Sequence, residues 1–307
     1  MTASTARVWT CLRIGMAAAT FALWLVGQVL RDRFWWTALC FYLPAPLAAG
    51  VLASIAVLSY LSSSRRMALV VALLALGPVF MVVWVENHWT TSSLRVSPTP
   101  SQRLVHWNVF GGSLSWSRVQ KILISSGADV IVLSEVPGDA SLEVLAAQLG
   151  QDYCSLRLDN MALIARGRLS ADPRRLDQAQ ARAFLVGWQS DAVATTLLVI
   201  DLPSSLAVAR DPLLGQVREL IANDRPDLVV GDFNAPRRSL VLSQLPDGYA
   251  HAYALAGSGW SYTWPVPCPL WAIDQCIVGP RICALSYHLR STVASDHRLQ
   301  LLDFVQR

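Results

Sequence analysis

The sequence predicts an α/β domain preceded by three transmembrane helices, and three observations carry this. Composition is lopsided, with 53% hydrophobic and only 15% charged residues, where a water-soluble chain carries about 25% charge. The apolar excess lies in the first hundred residues. Beyond them, short apolar runs with strand character alternate with runs of helical spacing.

Three apolar stretches, over residues 8–30, 35–61 and 67–85, each exceed the roughly 20 residues a helix needs to cross a hydrocarbon core. Trp24, Trp35, Trp36, Trp84 and Trp89 lie mostly near their ends, where amphipathic rings settle at a membrane interface. Cleavage of the first stretch as a signal peptide is the alternative, against which stand the lack of a small-x-small site and the two apolar stretches that follow. Residues 1–101 hold seven arginines against two acids, and residues 102–307 hold 18 basic against 19 acidic groups. The excess of positive charge therefore belongs to the apolar part. Arg65 and Arg66, bracketed by two apolar stretches, favour a cytoplasmic loop there. That would place the C-terminal domain outside the cytoplasm. A multi-pass cell-membrane protein is the expected setting.

The domain expectation is a membrane region over 1–89, a polar, Pro-containing linker over 90–102 and a catalytic domain over 103–307. Strands are predicted at 103–109, 129–133, 161–165, 184–188, 192–202, 228–230, 273–278 and 299–304. Gln189-Ser190-Asp191 supplies a hairpin turn, and helices are predicted at 115–126, 141–149 and 217–222. Of six cysteines, Cys11 and Cys40 lie in apolar stretches, and none of the six has metal-binding CxxC spacing. A disulfide among the other four and free buried thiols both stay open.

Polar residues able to hold a metal or a phosphate recur at strand ends. Asn108, Glu135, Asp232, Asn234, Asp274, Asp296 and His297 all fit that pattern, so a sheet could aim them at one point. A phosphoester repels an incoming nucleophile, and a hard cation held by carboxylates offsets that charge. Glu135 with Asn108 is the expected metal pair, with Asp296 completing it. Asp232 would orient or deprotonate water, and Asn234 would donate to a phosphoryl oxygen. His297 would meet the transferring phosphate as charged donor or base, with Asp274 fixing its tautomer. The sequence leaves open which of Asp232 and His297 activates water. Arg166 and Arg237 are the expected substrate-binding cations. His106 is read as a core histidine.

Trp107-Asn108-Val109, the DVIVLSE run over 129–135, Gly231-Asp232-Phe233-Asn234, Ile273-Asp274 and Ser295-Asp296-His297 occur in the order that resembles the endonuclease/exonuclease/phosphatase superfamily. Residues 161–166 and Thr263-Trp264-Pro265 resemble two further segments of that family. The resemblance covers about residues 103–307. It implies a four-layer α/β sandwich, with two mixed β-sheets flanked by helices. It also implies Mg²⁺ (or Mn²⁺) as cofactor and similar roles for the residues above. Two departures stand out: Asp201 occupies a position where relatives carry His or Tyr, and Gln275 one where they carry His. Asp201 is read either as a site residue that alters catalysis or metal binding, or as a turn Asp before Pro203.

The membrane anchor and the near-neutral domain favour a phosphorylated lipid or small molecule, and make nucleic acid a less favoured partner. Membrane proteins linked to glycopeptide resistance have a similar plan. The expected function is hydrolysis of a phosphate ester or pyrophosphate, such as a cell-envelope intermediate. A membrane-tethered nuclease and a phosphate-binding pseudoenzyme are the alternatives.

Overall fold

Sequence and topology divide the chain at one place. A computed structural model, which describes residues 3–89, 101–191 and 194–307, separates two compact units, Met1–Asn87 and His88–Arg307. Most of the predicted linker (90–100) and the first two positions of the predicted strand at 192–202 lie outside the described residues.

The first unit is helical: α1 (Ala3–Leu30), α2 (Trp35–Phe41), α3 (Ala45–Leu61), α4 (Arg65–Phe80) and a π-turn at Met81–Glu86. Its buried cluster is small, with Ala17, Leu52, Ile55, Ala56, Val71 and Ala75. Many large apolar side chains, such as Leu69, Leu73 and Trp84, face outward. Large apolar side chains facing outward suit helices packed in lipid rather than in water. Gly27 is required where α1 meets α2, because a Cβ there would lie 2.4 Å from the Cys40 carbonyl carbon. Arg13, inside the first stretch, donates to Ser62 Oγ at 2.8 Å and to the Leu58 carbonyl at 3.3 Å. These bonds satisfy its guanidinium and bring the start of α1 to the end of α3. Arg13 therefore shares one end of the helical unit with Arg65 and Arg66, which open α4 directly after α3.

The expectation of three spans is met in part. Among the described residues two helices, Arg7–Leu30 and Arg65–Glu86, are long and apolar enough to cross a membrane. The middle stretch is a pair bent by 61° between Trp35–Phe41 and Ala45–Leu61, and there are three spans only if this pair crosses as one. Pro44 is the cause: it lacks an N–H, sits in extended conformation and caps α3.

The second unit contains β1 (Gln102–Asn108), α5 (Trp116–Ser125), β2 (Val130–Ser134), α6 (Asp139–Leu149), β3 (Tyr153–Leu158), β4 (Met161–Arg166), β5 (Arg168–Arg174) and β6 (Arg182–Gln189). It continues with β7 (Ala194–Asp201), α7 (Arg210–Asp224), β8 (Leu228–Asp232), β9 (Ala250–His251), α8 (Ala252–Ala256), β10 (Asp274–Val278), β11 (Ile282–Arg290) and β12 (Leu299–Gln306). Two six-stranded sheets form, in the orders β11-β12-β1-β2-β4-β3 and β5-β6-β7-β8-β10-β9. Each holds one parallel pair, β1/β2 and β7/β8. A parallel pair needs a crossover, and α5 and α7 supply the two.

The sheets are mixed and face each other across one core. Leu104, Val130, Val132 and Leu163 of the first sheet belong to the same buried cluster as Val186, Leu197, Val199 and Val230 of the second. The alternate residues Ile131 and Leu133 point outward with Leu123 of α5 and Leu145 of α6. Leu198, Ile200 and Val229 likewise cluster with Leu214 and Val217 of α7. Strands buried on both faces read as unbroken apolar runs, which is why DVIVL and LVV were legible in the sequence.

All eight predicted strands are present, as β1, β2, β4, β6, β7, β8, β10 and β12. The four that the sequence reading lacked, β3, β5, β9 and β11, are the four sheet edges. Helix α7 starts seven residues earlier than predicted.

Gly231 is the tightest backbone point of the second sheet. Its φ is +152°, and an added Cβ would lie 1.8 Å from the Ile200 carbonyl oxygen of the paired strand β7. Gly231→Ala should destabilise the protein by about 3 kcal/mol or more. The check is the melting temperature of the detergent-purified variant, and an unchanged value would refute this account of the strand pair.

Candidate functional site

Both parallel pairs end at the same end of the sandwich. Asn108 pairs with Ser134 in the first sheet, and Asp201 with Asp232 in the second. Asp274 opens β10 directly opposite Asp232. Strand polarity and register thus deliver Asn108, Glu135, Asp201, Asp232 and Asp274 to one rim, and the segment before β12 adds Ser295-Asp296-His297.

Asn108 joins the sheets. Its Nδ2 donates to Glu135 Oε1 and to Asp232 Oδ2, each at 3.0 Å, and its Oδ1 accepts from the Phe110 N–H at 3.0 Å. Glu135 is exposed at the mouth, with a positive φ of 52° just beyond β2. Asp232 Oδ1 accepts from the Asn234 N–H at 2.9 Å, closing an Asx-type turn that bends the chain sharply after β8. The Asn234 side chain donates to the Leu202 carbonyl at 2.8 Å. This bond helps to hold the turn that aims Asp232.

His297 is buried between two acids. Its Nδ1 lies 3.0 Å from Asp274 Oδ2, and its Nε2 lies 4.0 Å from Asp232 Oδ2. Backbone contacts fix its place. Its N–H donates to Ser295 Oγ at 3.1 Å, Ser295 Oγ donates to the Asn108 carbonyl at 2.7 Å, and Trp107 Nε1 donates to the His297 carbonyl at 2.9 Å. Thr263 Oγ1 accepts from the Ile273 and Asp274 N–H groups at 3.1 and 3.2 Å, which pins the start of β10.

The electrostatics follow from burial and crowding. Burial disfavours charge on His297, but Asp274 first, then Asp232 and Asp296, outweigh it and raise the imidazole to about 10. Burial pushes Asp274 up, yet the adjacent imidazolium and its hydrogen bond hold it below the ordinary value. Burial, joined by the Asp274 charge, raises Asp232 to about 8. His297 and Asp274 therefore form a buried ion pair, and Asp232 is a second carboxyl short of a positive partner. Asp201 is raised to about 6, mainly by burial, against the pull of a hydrogen bond from Asn160.

Asp232, Asp274 and His297 offer ligand atoms that all lie within 4.8 Å of one another. Asp274 Oδ1 and Asp296 Oδ1 are buried without a hydrogen bond. A buried carboxylate excess with oxygen atoms to spare fits a hard divalent cation. Among the described residues this tight set comprises Asp232, Asp274 and His297; Glu135 stands at the mouth within reach of Asn108, and Asp296 Oδ2 accepts from Trp264 Nε1 at 3.0 Å.

Of the two expected substrate-binding arginines, Arg166 is displaced from the rim. Arg166 closes β4 at its far end, one residue beyond Ala165, which is the register partner of Val130, and it pairs with Asp129 at 3.0 Å and Asp152 at 2.9 Å. Strand β2 carries its site residues at its other end. Arg237 stacks over the Tyr253 ring at 4.2 Å and donates to the Ser261 carbonyl at 3.2 Å. His106 is fully buried, 3.3 Å from Ser134 Oγ, and burial lowers it to about 4, so it is a neutral core residue as read. Gln275 donates to the Ala235 and Ala272 carbonyls.

Sequence reading missed Asn160. It sits in the β3–β4 turn, and its Nδ2 donates to Asp201, linking the two sheets a second time. It lies at the start of a strand, whereas the reading looked for polar residues at strand ends. Asp201 is thus a rim residue rather than a bare turn former.

The raised groups set a direction with pH. His297 rises on folding from an ordinary 6.5 to about 10. It adds stability that is complete below 6.5 and lost as pH climbs through 10. Asp232, raised from 3.8 to about 8, costs stability as pH climbs between those values, so both act in the same sense. The melting temperature in EDTA should fall from neutral pH to pH 10. In Asp274→Asn, which lacks the charge that raises both groups, the fall should be shallower. Equal slopes would show that the Asp274 charge raises neither His297 nor Asp232.

Residues 105–297 match the endonuclease/exonuclease/phosphatase family. No curated protein matches the chain. Solved structures do. A humanized TDP2 of D. rerio has 18% identity over 67% of this chain and 99% of its own, with a TM-score of 0.57. D. rerio TDP2 complexed with a single strand DNA product has 16% identity over 68% and 100%, with a TM-score of 0.56. An endonuclease/exonuclease/phosphatase from Bacteroides vulgatus has 17% identity over 68% and 100%, with a TM-score of 0.55. At these identities the structures show a shared fold. Together with the family match over the segment that holds the whole rim, they show that this chain belongs to the endonuclease/exonuclease/phosphatase family, whose members are generally metal-dependent hydrolases of phosphoesters.

Proposed function

We propose that this chain is a Mg²⁺-dependent (or Mn²⁺-dependent) phosphoesterase of the cell membrane, hydrolysing a phosphate ester or pyrophosphate of a lipid or cell-envelope intermediate. One observation carries the reading: buried acids and one charged imidazole converge at a strand-end rim, in a chain whose first unit has helices apolar enough to span a bilayer.

Glu135, Asn108 and Asp296 would hold the cation, with Asp232 and Asp274 close by. Bound there, it would offset charge on the phosphoryl group. His297 is the one cationic side chain in the cluster. Kept charged by Asp274, it donates from Nε2 to a phosphoryl oxygen and stabilises the charge that builds there. Asp232, 4.0 Å from that nitrogen, faces the same space and takes a proton from the attacking water. Its raised affinity for a proton suits that task. Asp201, tied to Asn160, carries a proton more readily than an ordinary carboxyl and can pass it to the leaving oxygen.

The positive-inside tendency puts Arg7, Arg13, Arg65 and Arg66 in the cytoplasm, and the catalytic unit outside. A nuclease is the second reading, supported by the D. rerio relative complexed with a single strand DNA product. The near-neutral charge of residues 102–307 weighs against a general grip on duplex phosphates.

The test is phosphate release from a polyprenyl pyrophosphate by detergent-purified full-length protein with Mg²⁺, with plasmid nicking measured alongside. Release without nicking is expected. EDTA should abolish it and fresh Mg²⁺ restore it. His297→Ala and Glu135→Ala should each lower the rate about 100- to 10,000-fold. Nicking without release would make the chain a tethered nuclease. Unaltered ligand binding with no turnover of either substrate would make it a binding protein.

A further inference from the structure

The two ends of the sandwich present different surfaces. Between residues 101 and 307, exposed large apolar side chains on loops occur, among the described residues, only at the end that carries the site. Phe110 (42% exposed) and Leu114 (54%) follow Asn108. Leu206 (66%) follows Asp201, and Val293 (74%) comes four residues before His297. The opposite end exposes Gln189, Asp191, Asn223, Arg225 and Arg281 instead. Single exposed apolar residues are ordinary on protein surfaces, but here those on loops all fall, by strand direction, at the end that carries the site.

The four side chains come from three separate loops, so one local sequence cannot account for them. Arg118, in the first turn of α5, and Arg290, at the end of β11, are exposed at the same end. Apolar side chains interspersed with arginine suit the boundary between acyl chains and phosphate headgroups. The chain supplies such a boundary itself. The apolar helix Arg65–Glu86 ends two residues before His88. The His88 N–H donates to Tyr253 Oη at 2.8 Å, and its carbonyl accepts from Gly259 at 2.5 Å, which anchors the first residue of the catalytic unit within that unit.

We propose that Phe110, Leu114, Leu206 and Val293 form a rim that docks on the lipid bilayer surface and brings the catalytic mouth to the level of headgroup phosphates. This rests on the membrane reading above and deepens it: the substrate phosphate is met at the interface, without extraction of its lipid.

Full-length protein in phosphatidylcholine vesicles, containing a phospholipid with a diazirine at the top of one acyl chain, tests the docking. After irradiation, label should appear on peptides holding Leu206 and Val293. Peptides holding Val144 and Leu255, which are 51% and 46% exposed on helices, should stay unlabelled. Label confined to residues before His88, or equal on all four peptides, overturns the proposal; a rim covered by a second copy of the chain would give the first of these results. The paired substitutions Leu206→Asp and Val293→Asp should slow hydrolysis of vesicle-borne polyprenyl pyrophosphate about tenfold or more and leave a water-soluble phosphoester unaffected. Equal loss on both substrates, or no loss on either, also overturns it. Rim labelling without lipid hydrolysis supports the docking while the lipid-substrate reading fails. Hydrolysis without rim labelling overturns the docking and leaves that reading standing.

Discussion

The Asn108 amide holds the two sheets in register where their strands end. It donates to Glu135 from its own sheet and to Asp232 from the other. Packing alone cannot set this alignment, since an apolar interface between two sheets tolerates small shifts that a hydrogen bond does not. The neighbouring contacts lean on the same residue. Its carbonyl accepts from Ser295, which in turn receives the His297 N–H. One residue at the end of β1 thus places an acid from each sheet and, through Ser295, the only imidazole of the cluster.

What this alignment creates is an imbalance of charge. Asp232, Asp274 and His297 are buried within 4.8 Å of one another, and one imidazolium cannot neutralise every carboxylate near it. Buried charge without a partner is expensive. The cluster responds by raising the proton affinity of Asp232 and by locking His297 and Asp274 as an ion pair. Asp201 and Asn160 form a second link between the sheets, close enough to Asp232 to share the same field. The same electrostatics that cost stability make the site able to accept a cation, donate to an anion and move a proton.

The rim is also where the fold stops being governed by its core. Away from it, strands buried on both faces leave little choice of residue. At it, the chain must turn, cap and expose, and left-handed backbone gathers there: Phe110, Glu135, Asp159 and Asn234 all have positive φ. Those turns carry the side chains that do chemistry and those that meet the surroundings, so Asn108 and Phe110, or Asp201 and Leu206, stand a few residues apart.

Much of this was readable from the residues. Interior strands such as β2, β4 and β8 announced themselves because burial on both faces demands nearly unbroken apolar runs. The acids and amides at their ends were legible because sheet rims expose strand ends. The edge strands β3, β5, β9 and β11 were not, since an edge packs on one side only and tolerates the Arg, Asp and Pro of segments such as RLSADPR. Asn160 was hidden for a related reason, as its role depends on a partner 41 residues away across a gap between sheets. The sequence alone determined which residues could bear charge at strand ends and which stretches could enter a membrane. Only the tertiary structure decided which of them meet. It brought Asp232, Asp274 and His297 together, gave Asn234 to a turn, and sent Arg166 to the opposite end of β4, because register and strand direction, which set these distances, arise from pairing between distant segments.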